Sequence, residues 1–68
     1  MNCFSVYMLA DKRKAKDFRE DCMASFEWSE NTFYNRIKGY GFKTLERKEF
    51  EKKFVRYFNQ PLIFQYHD

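Results

Sequence analysis

The sequence has few residues of the types that bind metals. Its 68 residues contain two cysteines and one histidine. Cys3 and Cys22 lack the spacing of zinc ligands, and His67 stands alone near the C-terminus, so we predict no metal site and no cofactor. A disulfide between the two cysteines stays open as an alternative, although the composition favours a reducing compartment.

Long apolar runs are also missing. No stretch approaches the roughly 20 apolar residues that a membrane-spanning helix needs, and the first ten residues lack the basic start of a signal peptide. The mean hydropathy is −0.83 and 34% of the residues are charged. We therefore predict one soluble, cytoplasmic domain over residues 1–68, with terminal segments 1–10 and 60–68.

Catalytic constellations are absent as well. The only histidine lies in the tail, so neither a Ser/His/Asp nor a Cys/His arrangement can be assembled. Carboxylates mostly alternate with Lys or Arg, and the pair Gly39-x-Gly41 lacks the rest of a phosphate-binding loop. The sequence therefore predicts that the protein is not an enzyme and has no small-molecule substrate.

Aromatic residues are abundant. Nine Phe, five Tyr and one Trp make up 22% of the chain, and such large side chains make a compact core plausible in a short chain. Any surplus on the surface would mark a partner surface or a homodimer interface. The net charge of +3 and the pI of about 9.0 lean toward nucleic acid. Solvated helix faces are the alternative, because basic and acidic residues are interleaved.

Periodicity predicts a mainly α fold with three helices at about residues 12–26, 30–38 and 45–58. In the first, Asp11 is a plausible N-cap, and the apolar stripe consists of Ala15, Phe18, Cys22 and Phe26. In the third, Thr44 is the predicted N-cap and Leu45 extends the stripe of Phe50, Phe54 and Phe58. Glu49 and Lys53 have the spacing of an ion pair along that helix.

The middle helix carries the strongest local signals. Ser29 is a good N-cap and Gly39 suits a left-handed C-terminal residue. Phe33 and Ile37 stand four apart and point the same way. At roughly 100° per residue, three polar residues cluster nearly opposite them, namely Asn31, Asn35 and Lys38.

The terminal segments are predicted to be short and extended. Phe4, Val6 and Met8 alternate with Ser5 and Tyr7, which is typical of a strand. A tail or an apolar entry to the first helix are the alternatives, and translation starting at Met8 would remove the first seven residues. The β-prone run 62–66 is a candidate partner for residues 4–8, and loose packing over the helices is the alternative.

The stretch Trp28-Ser29-x-x-Thr32-Phe33-Tyr34-Asn35-Arg36-Ile37-Lys38 resembles the second helix of a helix-turn-helix. It is similar to tetracycline-repressor-type regulators and, less closely, to the phage-repressor type. The resemblance covers residues 18–39. It implies a three-helix helix-turn-helix domain of a bacterial or phage-like transcriptional regulator that binds double-stranded DNA.

Carried over residue by residue, the resemblance implies that Thr32 and Tyr34 contact phosphates and that Asn31, Asn35 and Lys38 face the major groove. Phe33 and Ile37 would point inward. Basic residues of the first helix would lie along the DNA backbone or serve only as surface charges; they are Lys12, Arg13, Lys14, Lys16 and Arg19. An RNA-binding domain and a protein-interaction module are the alternative functions.

Two positions depart from these families. Glu27 stands near the place where they prefer glycine, and Met23 stands where they prefer a small residue midway along the first helix. No long apolar helix follows the motif, so a ligand-sensing role is not carried over. We expect both departures to alter the geometry of the joint between the two helices.

Overall fold

The computed structural model describes residues 2–64, and over this range the chain is mainly helical. It forms four helices: α1 (Cys3–Leu9), α2 (Lys12–Phe26), α3 (Glu30–Lys38) and α4 (Thr44–Phe58). None of residues 2–64 lies in a strand. The prediction of a mainly α fold is confirmed, and the bounds of α2 and α3 match the predicted ones. The helix α1 was not predicted.

Side-chain caps explain why α2 and α3 begin where they do. The Asp11 carboxylate accepts hydrogen bonds from the backbone N–H groups of Arg13 and Lys14 at 2.9 and 3.3 Å. Ser29 Oγ accepts a hydrogen bond from the Thr32 N–H at 3.2 Å. Each side-chain oxygen thus pairs with N–H groups that have no partner inside the helix. Both predicted N-caps are confirmed.

The start of α4 differs from the prediction by one residue. Thr44 is the first helical residue, and Lys43 takes the N-cap position with extended backbone angles. The reason is Glu46, whose Oε1 accepts a hydrogen bond from the Lys43 N–H at 3.3 Å. This contact joins the N-cap to the third helical residue, as in a capping box. The assignment of Thr44 as the N-cap is therefore wrong.

The N-terminal segment forms a helix and not the predicted strand. Asn2 Oδ1 accepts a hydrogen bond from the Ser5 N–H at 2.9 Å, which caps α1. Cys3, Val6 and Tyr7 are buried while Met8 is 59% exposed, so burial follows helical spacing and not the alternation in the sequence. The first seven residues thus contribute three side chains to the core.

The C-terminal run does not add a strand to residues 4–8. Within the described residues, the Cys3 N–H donates a hydrogen bond to the Ile63 carbonyl, but no ladder continues from it. Phe64 is buried and its ring lies 5.3 Å from that of Phe42. The predicted pairing is wrong as far as residue 64, and Gln65 and Tyr66 lie outside the described residues.

The core is built around Phe18 of α2. Its ring lies 5.1–6.5 Å from six other rings, mostly with edges toward faces, as aromatic pairs prefer; these are Tyr7, Phe33, Phe50, Phe54, Tyr57 and Phe58. Accordingly α2 packs against α3 and α4, and α1 packs against α3. The predicted stripe of α4 is correct at Phe50 and Phe54, but Leu45 is 76% exposed and lies outside it.

A carboxylate ties α2 to α4. Asp21 Oδ1 accepts hydrogen bonds from Lys53 Nζ at 2.9 Å and Ser25 Oγ at 3.0 Å, and Oδ2 accepts one from the Tyr57 hydroxyl at 3.0 Å. The predicted pair of Glu49 with Lys53 is therefore wrong. Lys53 turns to the half-buried Asp21, where an ion pair is less screened than at the surface. Glu49 lies 3.5 Å from Lys52 Nζ instead.

We expect Phe54→Ala to destabilise the protein by about 3–5 kcal/mol, because it opens a cavity beside Phe18 and Phe58. Leu45→Ala, on the same helix, should change the free energy of unfolding by less than about 0.5 kcal/mol, since Leu45 is exposed. Urea denaturation followed by circular dichroism measures both. Equal stabilities of the two variants would contradict the described core.

We expect Asp21 to contribute stability that depends on pH. Its hydrogen bond with Lys53, and then those with Tyr57 and Ser25, hold the pKa of the carboxyl below its ordinary value of 3.8. Because the folded state binds the proton less tightly, this stability is present above about pH 4 and is lost as the pH falls through the lowered pKa. Denaturation of Asp21→Asn between pH 7 and pH 2 should show lower stability at neutral pH and a shallower loss in acid.

The matched control is Asp17→Asn, on the same helix, because Asp17 is exposed and its side chain makes no ion pair or hydrogen bond with any of residues 2–64. We expect its denaturation profile to follow that of the unsubstituted protein. If Asp21→Asn followed it too, the contacts of Asp21 would contribute nothing to stability.

Candidate nucleic-acid interface

Helix α3 is fixed to the body of the protein along one side. Phe33 and Ile37 are fully buried, as predicted, and the Phe33 ring lies 6.0 Å from that of Phe18. Gly39 ends the helix with a φ of 110°, a left-handed conformation that glycine adopts without steric cost. The opposite side of α3 is thereby held outward on a rigid support.

Two of the predicted DNA-binding residues lie on that outward side. Asn31 and Asn35 are exposed and stand four residues apart, so their side chains project from the same face of α3. Neither amide side chain hydrogen-bonds with any residue in the described part of the chain. An amide presents a donor and an acceptor side by side, the combination that pairs with the edge of adenine.

Thr32 and Tyr34 are half-buried and engaged within the protein. Thr32 Oγ1 accepts a hydrogen bond from Ser29 Oγ at 3.0 Å. The Tyr34 ring lies 6.1 Å from the ring of Tyr7, and its hydroxyl accepts a hydrogen bond from Arg19 Nη1 at 3.4 Å. Tyr34 thus leans toward α1 and α2, at the side of the outward face of α3.

Lys38, the fifth predicted residue, is also half-buried. Its ammonium group lies 5.3 Å from the centroid of the Phe4 ring, within the range of a cation–π contact. The structure therefore divides the five predicted residues into two groups. Asn31 and Asn35 are free to meet a ligand, whereas Thr32, Tyr34 and Lys38 have partners in the protein.

The joint between α2 and α3 forms without glycine. Glu27 adopts left-handed angles, φ 58° and ψ 41°, and its N–H donates to the Met23 carbonyl. The Trp28 N–H donates to the same carbonyl at 3.1 Å, so the end of α2 is closed by backbone hydrogen bonds. The Trp28 ring then stacks on Phe26 at 4.4 Å. Met23 is half-buried and packs against the core.

The basic residues of α2 separate into two faces. Lys12, Lys16 and Arg19 line a groove of about 340 Å³ together with Tyr7 and Tyr34. Lys14 lines a different depression of about 270 Å³, beside Phe58 at the end of α4. Of these four residues, Lys12, Lys16 and Arg19 line the groove beside α3, and Lys14 does not.

Several other basic groups are held by the protein. Lys53 binds Asp21, the Arg47 guanidinium lies 5.6 Å from the centroid of the Phe64 ring, and Arg36 lies 5.6 Å from the centroid of Trp28. Arg36 Nη1 also donates to the Tyr40 carbonyl at 3.2 Å. Lys53, Arg47 and Arg36 are therefore engaged elsewhere in the protein. The basic side chains that lie next to α3 in the groove beside Tyr34 come from α2.

One member of this site, Tyr7, was not predicted, and Arg19 was predicted only as one of five basic residues of the first helix that lie along the DNA backbone or serve as surface charges. The role of Arg19 has a signal in the sequence, because Lys12, Lys16 and Arg19 fall within about 60° of one another on a helix, while Lys14 falls on another side. Tyr7 has no such signal, because its segment was interpreted as extended. Its place beside Tyr34 follows only once α1 is known to be a helix.

The cysteines lie outside this interface. Cys3 and Cys22 are both buried and free. Burial raises the pKa of the Cys22 thiol to about 12 and that of Cys3 further still, so both remain protonated at neutral pH and are poor nucleophiles. Among residues 2–64 no group of three or more His, Cys, Asp or Glu side chains is placed to hold a metal.

Comparison of the chain with models of known protein families, with curated proteins and with solved structures gives no match. In the part of the chain that the structure describes, no helix is both long enough and apolar enough to cross a membrane. Function can therefore be inferred only from the side chains of the site itself.

We expect Glu27→Gly to stabilise the protein by up to about 1 kcal/mol. Glycine removes the steric cost of the left-handed conformation, about 1–2 kcal/mol, but adds freedom to the unfolded chain. The control is Ala24→Gly at an exposed helical position of α2, which should destabilise by about 0.5–1 kcal/mol. Thermal denaturation of both variants measures the difference, and a loss of stability in Glu27→Gly would contradict the described joint.

Proposed function

We propose that this protein binds double-stranded DNA, as a small transcriptional regulator that places α3 in the major groove. In this proposal α2 and α3 form a helix-turn-helix, with residues 27–29 as the joint. Asn31 and Asn35 contact base edges. The single observation that carries the proposal is the pair of exposed amides on a helix whose other side is anchored in the core, since neither amide has a hydrogen-bond partner among residues 2–64.

The surroundings of α3 support the proposal in two ways. Basic side chains of α2 lie on the flank of α3 that Tyr34 occupies, where the sugar–phosphate backbone would pass beside a helix in the major groove. Moreover, both ends of α3 are capped, so its outward face is presented in one orientation. A rigid element positions recognition groups better than a mobile loop does.

The residue roles differ from those that the resemblance implies. Asn31 and Asn35 keep the role of reading bases. Thr32 and Tyr34 contact phosphates at the edge of the face, with Tyr34 acting beside Arg19. Lys38 contributes charge near the end of α3 from its position over Phe4, because a cation–π contact leaves the ammonium hydrogens available to an anion.

The protein-interaction module receives less support. That alternative required a surplus of aromatic side chains on the surface, but the aromatic rings mostly pack against one another inside. Among the described large hydrophobic residues that are exposed, Tyr40 is the only aromatic one. The remaining exposed apolar side chains are Met8, Leu9, Leu45, Val55 and Ile63, and they are distributed over α1, α4 and the C-terminal segment.

We expect Asn35→Ala to weaken binding to a preferred DNA site by about 1–3 kcal/mol, the value of one good side-chain pair with a base. This corresponds to about a fivefold to 150-fold loss of affinity. The preferred site is first selected from a random duplex library and from fragments flanking the gene, and affinity is then measured by fluorescence anisotropy at a fixed salt concentration. Stability should not change, since Asn35 is exposed.

The control is Gln60→Ala, which removes an exposed amide away from α3 and should leave affinity unchanged. Single-stranded RNA of random sequence serves as a competitor. If no duplex is enriched, or if Asn35→Ala and Gln60→Ala bind alike, the proposed function is wrong. If RNA displaces the duplex completely at equal concentration, RNA binding is the better description.

A further inference from the structure

The groove between α1, α2 and α3 has an unusual lining. Its volume is about 340 Å³, and its polar side chains are Tyr7, Lys12, Lys16, Arg19 and Tyr34. None of the described residues that line it is acidic. On its outer side Lys16 forms an ion pair with Glu20, whose Oε1 lies 4.0 Å from Lys16 Nζ, with both side chains largely exposed. An exposed pair at this distance holds Lys16 only weakly.

The hydroxyl groups of the two tyrosines in the groove can donate hydrogen bonds. Burial, followed by a hydrogen bond with Tyr34, raises the pKa of Tyr7 to about 12, despite the opposing effect of Arg19. Arg19 donates to the Tyr34 hydroxyl oxygen at 3.4 Å. Because that oxygen already accepts a hydrogen bond, its own proton is available to another acceptor.

Every polar side chain that lines this groove can therefore act as a donor. Lys12, Lys16 and Arg19 carry positive charge and have no acceptor atoms, and each phenol has an O–H donor. A ligand that satisfies these groups offers several acceptor oxygens and a negative charge. Phosphate meets this requirement, because its oxygens form strong charge-assisted hydrogen bonds with ammonium and guanidinium groups.

We propose that the groove formed by Tyr7, Lys12, Lys16, Arg19 and Tyr34 is a binding site for a phosphate group. Lys16 and Arg19 bind its oxygens from α2, Tyr34 donates from α3, and Lys12 adds charge at the start of α2. Tyr7 positions the Tyr34 hydroxyl from α1. The site is thus assembled from three helices, and the α1 contribution comes from a segment that has no part in a helix-turn-helix.

The source of the phosphate is either a DNA backbone or a free phosphate compound. Tyr34 stands three residues after Asn31 on α3, so a phosphodiester in the groove would lie beside the base-reading face. The assignment to DNA rests on the function proposed above, whereas the affinity of the groove for phosphate does not. In a DNA complex, the site would fix the register of α3 without reading sequence.

The lining of the groove also predicts which basic residues of α2 contribute to phosphate binding. Lys16 lines it, whereas Lys14 lies on another side of the same helix and lines the depression near Phe58. Lys16→Gln and Lys14→Gln remove the same side chain and the same charge from positions two residues apart. A difference between them cannot arise from net charge.

The first measurement uses inorganic phosphate alone. The ¹⁵N-labelled protein is titrated with sodium phosphate at constant pH and ionic strength, with chloride as the balancing anion, and amide shifts are followed by NMR. We expect saturable shifts confined to the groove. Lys16→Gln should raise the phosphate concentration at half-saturation several-fold, and Lys14→Gln should leave it unchanged. Tyr34→Phe, which retains the packed ring, should also weaken binding.

The second measurement uses the selected DNA duplex at several salt concentrations. Loss of one phosphate contact lowers the slope of log affinity against log salt by about 0.9. We expect that change in Lys16→Gln, but neither in Lys14→Gln nor in Asn35→Ala. A matching effect in both measurements assigns the phosphate to the DNA backbone.

The two proposals fail in different ways. If phosphate shows no saturable response in the groove, or if Lys14→Gln and Lys16→Gln respond alike, the phosphate site is overturned even where Asn35→Ala weakens DNA binding. If phosphate binds in the groove and no duplex binds, the groove is a binding site for a free phosphate compound. The proposed function is then overturned.

Discussion

The burial of one ring, that of Phe18, is the constraint on which the rest of the structure depends. Aromatic side chains from α1, α3 and α4 converge on it at 5.1–6.5 Å. A chain of 68 residues has little apolar volume to bury, and large rings supply more buried area per residue than aliphatic side chains do. Because the three neighbouring helices share this single centre, their positions relative to α2 are coupled.

This coupling determines what α3 presents to its surroundings. Phe33 enters the shared core beside Phe18, and Ile37 is buried one turn later. With these two side chains inside, helical geometry places Asn31 and Asn35 outside. The same rotation brings Tyr34 to the flank of α3, where Arg19 of α2 and Tyr7 of α1 meet it. The candidate interface is thus a consequence of core packing and not of the polar residues themselves.

The helix α1 replaces the extended N-terminal segment that the sequence alone suggested. Its alternating residues fit a strand, yet Cys3, Val6 and Tyr7 have helical spacing as well, and short apolar runs are ambiguous between the two. The helix prevails because Asn2 caps it and because its buried face completes the core over α3. With α1 in place, the groove beside Tyr34 gains a third wall, and a basic stripe on α2 becomes one side of an open groove between three helices.

Local chemistry in the sequence determined where helices α2 and α3 begin and end, since Asp11, Ser29 and Gly39 act through neighbours only a few residues away. It also determined their inward faces, because apolar spacing reports the helix surface that must leave water. Only the tertiary structure decided the partner of Lys53, the exposure of Leu45, the helical state of residues 3–9 and the inward lean of Tyr34. The partner of Lys53 is Asp21 and that of Tyr34 is Arg19. Both partners lie far away in the chain, and spacing along one helix carries no information about such contacts.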